Sequence, residues 1–123
     1  MEVKVAEMDE IAVVKIDSDQ LDAGNVREFK TQINPVAAEN KQLVFDLSTV
    51  RFIDSSGLGA VLSYLRKQHE VGGDLKLTGL TQPVRMLFEL VRMHRIFEIY
   101  GSVEEAVGAY RQKVQPQAAL SAA

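Results

Sequence analysis

The run Leu43-Val44-Phe45-Asp46-Leu47 is short, almost wholly apolar and flanked by polar residues. Such a run fits a strand covered on both faces, the situation of a central strand in a sheet with helices packed against it. The segments on either side support that layered arrangement. Before it, Val3, Val5 and Met8 are followed after Asp9-Glu10 by Ile11, Val13, Val14 and Ile16, two β-rich runs joined by a short polar turn. Between them and the central run, Asp22 to Ala38 places Val26, Phe29 and Ile33 at helical spacing, with Asp22 or Asn25 in position to cap the first turn. Pro35 is expected to kink or end that helix early, because it cannot donate to the carbonyl four residues back.

After the central run, a tight stretch from Ser48 to Asp54 leads into a helix from about Ser56 to His69, with Leu58, Val61, Leu62 and Leu65 as its core stripe. Val71-Gly72-Gly73 breaks it, and Leu75 and Leu77, extending toward Leu80, alternate as the next strand. Pro83 opens a helix to Met93, where its missing N–H costs nothing. Ile96 to Tyr100 forms a last strand, and Ser102 with Glu105 makes a capping box for a final helix. The order is ββαβαβαβα: an α/β domain with a mixed sheet of four to five strands, an antiparallel opening hairpin and right-handed parallel crossovers. Residues 1–114 form this domain; the tail 115–123, with Pro116, several alanines and no charge, is expected to be disordered.

At 123 residues the chain is the size of one domain that folds unaided, and its lack of cysteine removes disulfides, thiol nucleophiles and Cys-ligated zinc. A net charge of −3 argues against a nucleic-acid binder, which needs clustered Lys and Arg to neutralise phosphates. The densest basic group, Arg85, Arg92, His94 and Arg95, alternates with apolar residues and reads first as an amphipathic helix. No stretch is long and apolar enough to cross a membrane, and the N-terminus lacks the layout of a signal peptide, so a cytoplasmic location without membrane insertion is expected.

The residues that stability alone does not explain are Asp54-Ser55-Ser56-Gly57-Leu58-Gly59-Ala60. Asp54, Ser55 and Ser56 are ordinary helix starters. Gly57 and Gly59 are not, since each costs a helix interior about 1 kcal/mol relative to Ala. On a helical wheel Ser56, Gly59, Ala60 and Ser63 fall away from the leucine stripe, giving a smooth outer face that another protein can approach closely. A phosphate at Ser55 or Ser56 would add about −1.5 to −2 charge beside Asp54, at a helix end suited to holding phosphate, and would change docking rather than the fold.

Together with Asp46-Leu47-Ser48, Gly72-Gly73-Asp74-Leu75-Lys76-Leu77 and Pro83-Val84-Arg85-Met86-Leu87-Phe88, this motif resembles the STAS-domain anti-sigma-factor antagonists of bacteria over about residues 2–112. The resemblance implies a transcription-regulating phosphoprotein that works by partner switching and is not an enzyme. Unmodified, it would bind an anti-sigma factor that is also a serine kinase; phosphorylation at Ser55 would block binding, and a PP2C-type phosphatase would reverse it. Ser56 is the neighbouring alternative, and the partner surface would comprise Leu21, Asp22, Asp54, Ser55, Ser56, Gly57, Gly59, Ala60 and Ser63. A monomer or weak dimer is implied. The chain departs from the family at Ser18-Asp19-Gln20, where a Gly-Glu type turn is usual, and Pro35 is expected to shorten the first helix. The other reading is a constitutive STAS scaffold or subunit, for example of a lipid-transport ATPase, without a covalent switch.

Other features add little chemistry. Val84, Leu87, Phe88 and Val91 suffice as the core stripe of their helix; Met86, Leu90 and Met93 continue it around the side, to be covered by a neighbouring helix or the tail, or else to form a second contact surface. His69 and His94 stand isolated, without a carboxylate or second His at metal-ligand spacing. No glycine belongs to a nucleotide loop, Ser55 has no base in prospect, and no cofactor is expected.

Overall fold

In the computed structural model, residues 1–122 are described, with side chains through Gln112. The 115–123 tail expected to be disordered lies beyond the residues whose side chains are described, and residue 123 beyond the described backbone. A five-stranded sheet has the order β1-β2-β4-β6-β7: β1 (Glu2–Met8), β2 (Ile11–Asp17), β4 (Gln42–Asp46), β6 (Asp74–Thr78) and β7 (Glu98–Tyr100). β1 is antiparallel to β2 and the other pairings are parallel. Met8 faces Ile11 in register, so Asp9 and Glu10 form a two-residue turn with φ of 52° and 67°. Positive φ at both central positions matches the twist of a hairpin.

The LVFDL run is the middle strand, β4, as its lack of alternation requires. Leu43, Phe45, Leu75 and Leu77 point to one face, which carries α1 (Val26–Glu39), α2 (Ser55–Glu70) and α3 (Gln82–Leu90). Phe29, Phe45 and Tyr64 meet there edge to face, with ring centroids 5.9–6.1 Å apart. Ile11, Val13 and Val44 point to the reverse face, covered by Ala106, Val107 and Tyr110 of α4 (Val103–Ala122). The capping box at Ser102 is present: its Oγ accepts from the Glu105 N–H at 3.1 Å, while Glu105 accepts from Gly101, one residue before the cap, at 3.2 Å.

Two strands escaped the sequence reading. β3 (Gln20–Leu21) and β5 (Phe52–Ile53) pair in parallel as a separate two-stranded sheet. Two residues are too few to show a period.

Several local expectations are corrected. α1 runs through Pro35 to Glu39. Pro35 and Thr31 are both exposed, so the bond lost at Pro35 frees a carbonyl on the solvent side, where water replaces the partner, while buried Phe29 and Ile33 keep the helix docked. Neither Asp22 nor Asn25 caps α1 with its side chain. Instead Asn25 Oδ1 accepts from the Asp22 N–H at 2.9 Å, its Nδ2 donates to the Gln20 carbonyl at 2.8 Å, and Asp22 Oδ1 accepts from Gly24 N–H at 2.9 Å. The buried stripe of α2 is Gly57, Ala60, Val61, Tyr64, Leu65 and Gln68, with Leu58 and Leu62 only partly buried. The helix is rotated from the leucine-centred expectation because its small residues bring its backbone against β3.

α3 stops at Leu90, short of Met93, and the chain turns through Arg92 at φ 61° into a 3₁₀ turn, Met93–Arg95. Val91 is mostly outside the core, and Leu90 is 81% exposed with Met86 and Ile96 also open to solvent, so no described residue covers this flank. A left-handed conformation costs a non-glycine residue about 1 kcal/mol or more. Arg92→Gly is therefore expected to raise stability by about 0.5–1 kcal/mol, seen as a higher urea midpoint at unchanged slope. His69 is not isolated: its Nε2 lies 2.9 Å from Asp74 Oδ1.

Candidate functional site

The β3–β5 pair builds the site. Gln20 aligns with Phe52 and Leu21 with Ile53, so the loop after β3 and the residue before α2 leave the small sheet side by side. Asp54 stands at the junction. One carboxylate oxygen accepts from the Gly57 N–H at 2.9 Å and caps α2; the other accepts from the Ala23 N–H at 3.0 Å, thirty-one residues away, and pins the β3–α1 loop to the helix start. These bonds, Gly57 first and then Ala23, stabilise the ionised form and hold the Asp54 carboxyl below its ordinary value.

Ser55 is the first residue of α2, and it and Ser56 are exposed. Gly59, one turn on, is exposed with no atom near the position of an added Cβ, and Ser63 is half-buried. Together they form an open strip along the outer side of α2, beside the exposed loop residues Ala23 and Gly24. Three residues expected on this surface lie inside it. Leu21 is fully buried, Ala60 is 2% exposed, and Gly57 faces inward so that a Cβ would collide with the Leu21 carbonyl. They shape the site from behind: Gly57 and Ala60 let α2 lie against β3, and Leu21 anchors the strand. Asp22 sits half-buried in the loop.

Sequence reasoning missed the Asp54–Ala23 bond and Phe52. Phe52 is 55% exposed, two residues before the cap, on the strand against which α3 packs. An aromatic residue followed by buried Ile53 was the available signal, and it reads equally well as core. His69 closes the far end of α2, about 21 Å from Ser55 at 1.5 Å per residue, too far to serve it as a base. Among the described residues no group of three His, Cys, Asp or Glu is arranged to hold a metal ion, and no helix is long and apolar enough to cross a membrane.

An exposed serine at a capped helix start, on a mixed sheet flanked by helices, defines a class that comparison with known proteins identifies. The STAS domain family model matches residues 2–106, and the chain belongs to that family. Among curated proteins it is similar to the anti-sigma-B factor antagonist of Bacillus subtilis, 28% identical over 88 residues that span 72% of this chain and 81% of the relative. It is also similar to the anti-sigma F factor antagonist of Paenibacillus polymyxa, 28% identical over 67 residues; that match spans 54% of this chain and 57% of the relative, under two thirds of its length. Among solved structures, an anti-sigma factor antagonist from Mycobacterium paratuberculosis superposes with a TM-score of 0.80 at 24% identity, covering 89% of this chain and 93% of that one. SpoIIAA in its unphosphorylated form gives a TM-score of 0.75 at 22% identity, covering 90% and 97%. At these identities the solved structures speak for the fold.

Proposed function

We propose that the chain is an anti-sigma-factor antagonist that switches partners through phosphorylation of Ser55. Unmodified, it binds an anti-sigma factor that is also a serine kinase; the phosphate blocks binding and a PP2C-type phosphatase restores it, in the bacterial cytoplasm and without enzymatic activity of its own. The observation that carries this reading is the exposed Ser55 at the head of α2 beside an Asp54 carboxylate already committed to two backbone N–H groups.

That commitment sharpens the effect of the phosphate. A bare helix N-terminus attracts an anion through its free N–H groups. Here Asp54 occupies the Gly57 N–H and adds a negative charge, so a phosphate on Ser55 is turned outward toward the partner. The bonds of the fold itself are left in place. The change of about −1.5 to −2 charge then acts on docking. The test is incubation with the cognate kinase and ATP, followed by mass-spectrometric mapping. Modification at Ser55 is expected; no incorporation, or incorporation away from Ser55 and Ser56, would sink the proposal and leave the constitutive scaffold as the better reading.

A further inference from the structure

The reverse face of the sheet contains a charge that the proposed switch does not use. Lys76, at the centre of β6, is fully buried, whereas its neighbours Leu75 and Leu77 on the opposite face are apolar. Its Nζ lies 3.1 Å from Asp74 Oδ2 and 3.1 Å from Glu98 Oε1, its register partner on β7. The cation sits 4.3 Å from the ring centroid of Tyr110 on α4 and 5.8 Å from that of Tyr100. Tyr110 is the innermost tie of the helix: its hydroxyl donates to the Leu43 carbonyl at 2.7 Å. The carboxylates are held in turn: Asp74 is shared with His69 of α2 and accepts from the Leu75 N–H, and Glu98 accepts from the Tyr100 hydroxyl at 2.7 Å.

A buried lysine, even when paired, contributes less to docking than an apolar contact of the same shape, because it gives up water to form the pair; here Lys76 is fully buried and Asp74 largely so, while Glu98 keeps part of its water. The converse holds on opening. When α4 lifts, Lys76 and the largely buried Asp74 regain water, which offsets part of the burial lost by Ala106, Val107 and Tyr110. Lifting α1 or α2 uncovers the larger apolar face of Phe29, Phe45, Leu75 and Leu77 and returns to water the uncharged amide of Gln68, which donates to the Asn40 and Lys41 carbonyls, but no buried charge. Among the described residues, the further tie of α4 to the sheet hairpin, Arg111 to Asp9 at 3.0 Å, is exposed on both sides and therefore weak. The capping bonds at 101–105 are local and survive an opening. We propose that α4 is a releasable cover, latched by Tyr110 over Lys76, that opens as a unit while the opposite core stays folded.

The test is amide hydrogen exchange on the full chain, comparing residues 106–111 of α4 with Val44, Phe45, Leu75 and Lys76 in the central strands. In the wild type the α4 amides are expected to be at least about tenfold less protected than the strand amides. Lys76→Met, which keeps the length and removes the charge, is expected to raise α4 protection at least about tenfold while the strand amides change less. Equal protection of α4 and the strands in the wild type, or no rise in Lys76→Met, would overturn the proposal. Should Lys76→Met not fold, Tyr110→Leu decides: loss of α4 protection with the strands unchanged supports the latch, and an equal loss in both rejects it.

Discussion

Gly57→Ala is expected to destabilise the domain by about 3 kcal/mol, at the upper end of the cost of overpacking. A Cβ there would run into the Leu21 carbonyl and lie 3.0 Å from Ile53 Cγ2. The first obstacle is backbone, held in the β3–β5 pair, so no rotamer change relieves it. Helix propensity pulls the other way by only about 1 kcal/mol and loses. The same substitution two residues on, Gly59→Ala, meets open space and is expected to stabilise by about 0.5–1 kcal/mol. Urea denaturation of the two variants reads both signs. A stabilised Gly57→Ala would mean that α2 does not approach β3 as closely as the structure has it, and a destabilised Gly59→Ala would mean that the space beside residue 59 is not open. On the proposed function, Gly59→Ala carries a second signature: its methyl group stands on the outer strip and should weaken docking while the fold gains.

These two glycines show how far the site was legible in the sequence. That Gly57 and Gly59 demand an explanation beyond stability followed from their position inside a helix, and the smooth outer face at Gly59, Ser56 and Ser63 is present. The wheel failed at Ala60 because it was centred on the leucines, and the resemblance put Gly57 on a surface it does not reach. Leucine is the more apolar residue, yet a helix lies closest to its sheet along its smallest residues, and here those are 57 and 60. The central strand, the hairpin, the Pro83 helix start and the Ser102 capping box were readable because each rests on a local rule with one physical outcome. The β3–β5 pair was not, since two-residue strands have no period and their pairing is between segments about thirty residues apart. With it went the Asp54–Ala23 bond, which together with the strand pairing explains why a loop before α1 belongs to a site at the head of α2. Pro35 shows the opposite failure: the rule is local and correct about the lost bond, but the docked face of α1 outweighs it.

Ser55→Glu and Ser55→Ala should separate sharply in binding to the cognate kinase. A carboxylate at residue 55 stands beside Asp54, whose own charge is held by the Gly57 and Ala23 N–H groups and cannot be relieved by protonation near neutral pH. Two adjacent negative charges then meet any partner surface built to accept an uncharged serine. Like-charge juxtaposition across an interface costs several kcal/mol, so Ser55→Glu is expected to weaken binding by roughly 10–100-fold and the phosphorylated protein by more. Ser55→Ala removes one hydroxyl from an exposed position, should bind within about threefold of the unmodified protein, and cannot be released by phosphorylation there. Both variants should melt within a few degrees of the wild type, since the cap of α2 comes from Asp54 and not from Ser55. Titration calorimetry with the kinase, run beside thermal melts, reads all of this at once. Equal affinities for the two variants would remove phosphate-controlled docking. A large loss of stability in Ser55→Glu would mean that the charge acts on the helix start itself, and that the switch works by loosening the β3–α1 loop and α2 rather than by repelling a partner from an intact face.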